Sequence, residues 1–250
     1  MWDSPLDWYI SMNTLVTYKE MEQVGESLIQ KYIGTRHTPL HCVDIEGFIT
    51  DYLNLPIKYI NFAEKDKDKI GFVSDGHYRL RVAEHGEVIE RIYPKGTITI
   101  DRYLLSADLS GQRRFTLAHE AAHVIFERMS PTAPGPCFNR YFDSERTYSL
   151  HQLQNHLNLI EVQTDRLASI LLMPSFMVAQ TLRKHNGGHS ICIFGDGVLR
   201  SADKLTVQHM ANEMGVSFSA MLTRLHVLKY TDRRDISEYI ETEMNFGGDV

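Results

Sequence analysis

The stretch FTLAHEAAHVIFE, Phe115 to Glu127, sets the tightest constraint on how this chain folds. The pattern around it predicts a helix from about Gly111 to Met129, with Ser110 as N-cap and Pro131 as stop. Four apart on a helix, His119 and His123 lie one above the other on one face, with about 6 Å between Cβ atoms. Two imidazoles so placed can share one ion at about 2.1 Å each. Glu120 flanks the same position without joining the ligand row, where it can accept a proton from a metal-bound water. The plain alternative, a pair of partly buried helix histidines, asks nothing more of the sequence. The metal reading asks for a third protein ligand, with a fourth position left open to water.

That ligand does not come from the same helix. Phe126 and Met129 stand where an extended H-E-x-x-H-x-x-G-x-x-H motif would carry its glycine and third histidine, and Glu127 lies a further turn along the axis. The better source is EVQTDRLASILLMP, Glu161 to Pro174. It falls in a predicted helix from about His156 to Met173, closed by Pro174. Glu161 and Asp165 are four apart, so both carboxylates face one way. If this helix packs on the first, Glu161 completes a His-His-Glu site. Asp165 can then hold the far nitrogen of one histidine, fixing its tautomer and ring orientation. A solvated carboxylate pair is the alternative.

The rest of the chain reads as α, then β, then α-rich, which is an α+β plan. Thr17 to Tyr32 forms an amphipathic helix and Val43 to Leu53 a second. Strands are expected at Ile57 to Phe62, from Ile70, from Tyr78 and at Thr97 to Asp101, making a small, mainly antiparallel sheet packed on a helical, zincin-like core. Asp75-Gly76 signals a hairpin between two of them. Residues 130–150, rich in Pro, Ser and aromatics, read as a long loop that can control access to the metal. Residues 201–250 read as a C-terminal extension of the same fold, after a core over residues 1–200.

Composition excludes several classes of function. A net charge of −6 argues against nucleic acid as the main ligand. The apolar runs fall short of the roughly twenty residues that span a bilayer. The N-terminus, with acids and no basic residue ahead of its apolar positions, does not read as a signal peptide. Cys42, Cys137 and Cys192 read as free thiols of a cytoplasmic protein.

Other residues carry weaker signals. Tyr141, Tyr148, His151 and His156 are placed to assist a transition state or control access, although ordinary packing accounts for each. Cys137 could approach the metal as a thiolate. Leu205 to Tyr230 has helix-turn-helix character in Ala211, Gly215, Val216 and Met221, with Arg224, Lys229, Arg233 and Arg234 adding positive charge. This supports a rival reading as a DNA- or protein-binding module with a structural metal. Arg224, however, falls where the second helix should turn an apolar side chain inward.

RRFTLAHEAAH followed by EVQTDRLASILLMP resembles the ImmA/IrrE family of zinc metallopeptidases, whose hallmark is R-F-T-L-A-H-E-x-x-H and then E-x-x-A-[ND]-x-F-A-x-x-L-L-M-P. The resemblance is sharpest over Arg114 to Pro174. It extends more weakly to PLHCVDIEGFITDYLNLPIKYI upstream and MANEMGVSFSAMLTRLHVL downstream. Ala122, Thr164 and Leu167 depart from the pattern without removing a chemical group. The resemblance implies that His119, His123 and Glu161 hold Zn2+, that Glu120 is the base and that Asp165 supports a ligand. It also implies a regulatory endopeptidase whose partner is a protein substrate, a helix-turn-helix repressor.

Overall fold

The computed structural model describes residues 17–35, 41–63, 69–129, 138–140 and 159–241. Helix α1 (Tyr18–Gly34) opens on a capping box, in which the Thr17 hydroxyl accepts from the Glu20 N–H while the Glu20 carboxylate accepts from the Thr17 N–H at 2.7 Å. Two donors of the first turn are thereby satisfied. The expected second helix begins as a single turn, α2 (Ile45–Gly47), capped by the Asp44 side chain, and widens into a π-helical turn over Phe48–Tyr52.

Strands β1 (Ile57–Ile60), β2 (Lys69–Val73), β3 (Leu80–Glu84), β4 (Glu87–Arg91), β5 (Ile98–Asp101) and β6 (Phe138–Arg140) follow. Four of them form a sheet in the order β1-β5-β2-β6. β2 is antiparallel to both neighbours, with Gly71 opposite Ile100 and Asn139, whereas β1 and β5 run parallel. β6 lies within the stretch expected to be a loop; the remainder of that stretch, Pro131 included, is outside the described residues.

Asp75-Gly76 turns the chain but does not close the expected hairpin. The Asp75 carboxylate accepts from the N–H groups of His77 and Tyr78 at 2.8 and 2.7 Å. β3 pairs instead with β4, Glu84 opposite Glu87. The connecting residues His85 and Gly86 both have positive φ, 53° and 87°. Two such residues match the twist of a tight hairpin. A histidine in the place of the usual Asn or Asp masked the signal. Phe72, Leu80 and Val82 then pack the ribbon against the sheet.

Helix α3 (Ser110–Met129) carries both histidines. Ser110 is not its N-cap: it is already helical, because a 3-10 turn over Ala107–Leu109 feeds straight into the helix. α3 lies between the sheet and α4 (Leu159–Leu172), packing on β2 and β5 on one side and on α4 on the other. Ala118, Ala121 and Ala122 of α3 and Ala168 of α4 are fully buried. α1 approaches α4 closely as well, at Gly25, where an added Cβ would lie 2.6 Å from Ile170 Cγ2.

The C-terminal part adds α5 (Ser175–Asn186), β7 (Ile191–Phe194), β8 (Val198–Leu199), α6 (Ser201–Met214), α7 (Phe218–Val227), β9 (Thr231–Arg234) and α8 (Ile236–Tyr239). Pro174 ends α4 and is also the N-cap of α5, so one proline serves two helices. Gly215, at φ 64°, caps α6 as the expected turn between α6 and α7. Among the described residues, no helix is long and apolar enough to cross a membrane.

Two arginines fasten this arrangement. Arg114, in the first turns of α3, donates to the carbonyls of Val43 at 2.7 Å, Gly215 at 3.0 Å and Met214 at 3.4 Å. Arg224, read from sequence as part of a basic surface, is only 2% exposed. It donates to the Met173 carbonyl at 2.8 Å, to Glu22 Oε2 at 2.9 Å, and to Glu22 Oε1 and the Tyr18 hydroxyl. The inward position is thus filled by a cation that brought its own counter-ion from α1. Replacing Arg224 by alanine should cost about 3 kcal/mol, since a large buried side chain is lost and Glu22 is left partly buried without its cation. Urea denaturation checks this, and removing Glu22 as well should cost much less than the sum of the two single changes.

Candidate metal centre

His119 sits on the buried face of α3, 2% exposed, because this face is wedged against α4. Its Nδ1–H donates to Asp165 Oδ1 at 2.8 Å, so Asp165 fixes the ring and turns Nε2 the other way. His119 Nε2 lies 3.0 Å from His123 Nε2 and 3.2 Å from Glu161 Oε2, while His123 Nε2 is 3.6 Å from the same oxygen. A tetrahedral ion holding each ligand at about 2.1 Å sets ligand atoms about 3.4 Å apart. The three separations bracket that spacing. His119, His123 and Glu161 could therefore hold a metal ion with one ligand atom each, all within 4.8 Å of one another. The donor set of two imidazoles and one carboxylate suits zinc.

The electrostatics of the pocket favour a cation. Burial pulls the His119 imidazole down, yet the Asp165 and Glu161 carboxylates together outweigh it and push the ring up to about 10. Burial pushes Glu161 up, but hydrogen bonds from His119 and His123 bring it down to about 2. Glu120 is different. Its carboxyl is fully buried, and among the described residues neither oxygen has a hydrogen-bond partner. Burial, the largest influence, pushes it up to about 8. Buried polar atoms are nearly always paired, so an orphaned carboxyl beside three converging ligand atoms marks a place for a water or a substrate group.

The residues brought together are thus His119, Glu120, His123, Glu161 and Asp165, two elements meeting face to face. Tyr141, Tyr148, His151, His156 and Cys137 lie outside the described residues. Gly71 went unnoticed in the sequence: an added Cβ there would clash with Glu120 Oε1 and lie 2.9 Å from Thr116 Cγ2. The available signal was an isolated glycine inside the strand pattern KIGFV, which often marks a close backbone approach.

The Peptidase_M78 family model, described as the IrrE N-terminal-like domain, matches residues 50–226. The chain belongs to this family. Peptidase_M78 membership makes it a metallopeptidase by family, and the match contains α3 and α4 with all five residues above. Comparison with curated proteins finds no match.

Two outcomes follow from the geometry. Asp165→Ala should weaken zinc binding about 10–100-fold while leaving the fold intact, as read by competition with a chelating dye. The metal-free protein should lose stability as pH rises. His119 is raised from 6.5 to about 10, so its contribution is complete below pH 6.5 and gone above about 10. Glu120, raised from 4.5 to about 8, acts in the same direction over its own range. Thermal melts in chelator should show Tm falling from pH 6.5 to 10, and saturating zinc should remove most of that fall.

Proposed function

We propose that the chain is a zinc-dependent endopeptidase of the cytoplasm that cuts a helix-turn-helix transcriptional repressor. The observation carrying this reading is the convergence of His119 Nε2, His123 Nε2 and Glu161 Oε2 beside the unpartnered, buried Glu120 carboxyl. A helix bearing H-E-x-x-H beneath a small mixed sheet is the layout of a zincin-like core, and the family is one of metallopeptidases. The free thiols of Cys42 and Cys192 suit a reducing compartment. The resemblance to ImmA/IrrE proteases supports the repressor as substrate.

Zinc, when bound by His119, His123 and Glu161, supplies Lewis acidity that brings a water's pKa near 7 and polarises the scissile carbonyl. Glu120 takes a proton from that water onto a carboxylate oxygen and later delivers it to the leaving amine nitrogen. Burial raises the basicity of the Glu120 carboxylate above that of a free one, which favours proton uptake once it is ionised. Asp165 keeps the His119 Nδ1–H donated away from the ion, so Nε2 presents its lone pair. The substrate backbone lies along the sheet edge by strand addition. Because β6 pairs with β2 opposite Gly71, the edge offered on this side belongs to β6.

The test is incubation of the purified protein with a repressor encoded beside it, with and without chelator. Cleavage should require zinc. Glu120→Gln should retain zinc and lose cleavage by at least about 100-fold, the lower end of general-base contributions. Full activity of that variant would refute the assigned base.

A further inference from the structure

The structure assigns to Gly71 the role of a positioning residue, whose missing side chain is the space that seats the Glu120 carboxyl. Gly71 lies in the middle of β2, paired with Ile100 on one side and Asn139 on the other. A glycine in a strand interior weakens the strand, so its presence needs a reason. Conformation is not the reason, since Gly71 is absent from the positive-φ glycines. The adjoining irregularity in pairing with β6, between Lys69 and Gly71, does not require it either, for the same reason. Space is the reason. A Cβ at this position would overlap Glu120 Oε1, closer than real contacts allow, and stand 3.1 Å from Glu120 Cδ, itself a tight contact.

The neighbours leave the carboxyl little alternative. Thr116, one turn before Glu120 on α3, presents its methyl 2.9 Å from the same point, and both side chains are buried, at 1% and 0% exposure. Ile70 and Phe72, on either side of Gly71, are buried as well. The β2 backbone therefore acts as a wall at van der Waals range. It holds the carboxyl in place by shape, because among the described residues no hydrogen bond does so. A shape-held carboxyl keeps its lone pairs free for a proton from elsewhere. A hydrogen-bonded one would have them occupied.

The inference rests on the reading of Glu120 as the base only for its effect on cleavage; the steric pairing can be measured without it. The experiment is a double-mutant cycle of Gly71→Ala with Glu120→Ala on the full chain, melted in chelator, together with cleavage of the repressor by the zinc-loaded single variant. Gly71→Ala alone should lower Tm by about 3–8 °C, an overpacking effect in a chain of this size. In the Glu120→Ala background the same change should lower Tm distinctly less, since only the contact with the Thr116 methyl remains. Zinc affinity of Gly71→Ala should stay within about twofold, and its kcat should fall on the order of 100-fold at unchanged KM, as for an ångström-scale displacement of a reacting group.

Equal loss of Tm in both backgrounds, relieved by Thr116→Ser, would show that the glycine serves only the packing of α3 on the sheet and overturn the assignment. Undiminished kcat in Gly71→Ala would overturn it too. Failure of the base reading has a separate signature, full cleavage by Glu120→Gln.

Discussion

The contact on which the site depends is the meeting of two imidazoles with two carboxylates across the seam between α3 and α4. His119 is buried and the other three are partly so, and ionisable groups taken out of water are costly unless they satisfy one another. They do so here through a short chain, Asp165 to His119 to Glu161 to His123, whose links run from 2.8 to 3.6 Å. That chain exists only because the two helices pack against each other along this seam.

Much of the site was legible in the sequence, since i,i+4 spacing fixes which side chains share a helix face whatever the surrounding fold. His119 with His123 and Glu161 with Asp165 are two such pairs, and the only inference beyond periodicity was that their helices meet. Gly71 was less visible. It acts through the absence of a side chain on a strand distant in sequence, and a lone glycine has many ordinary explanations. Arg224 was read half correctly: its inward position was noticed, but its counter-ion Glu22 lies about two hundred residues away, beyond any local pattern.

The fold shows the same division. Helices α1, α3, α4, α6 and α7 were legible because amphipathic periodicity and glycine or proline stops are local. The β3–β4 ribbon was missed where His85 took a left-handed conformation usually given to Asn or Gly. The parallel pairing of β1 with β5 was missed because it depends on a connection about forty residues long. The C-terminal sheet, order β8-β7-β9, is made of strands two to four residues long, too short for alternation to register.

Arg114 carries a consequence for how the protein is made. It stands five residues before the first histidine, and its guanidinium finds acceptors at Val43, Met214 and Gly215, on segments 71 to 101 residues away. While the chain is still emerging from the ribosome, two of those three acceptors do not yet exist, and the start of α3 is anchored only through Val43. The helix that carries His119 and His123 is therefore fully tied at its N-terminal end only once Met214 and Gly215 are in place.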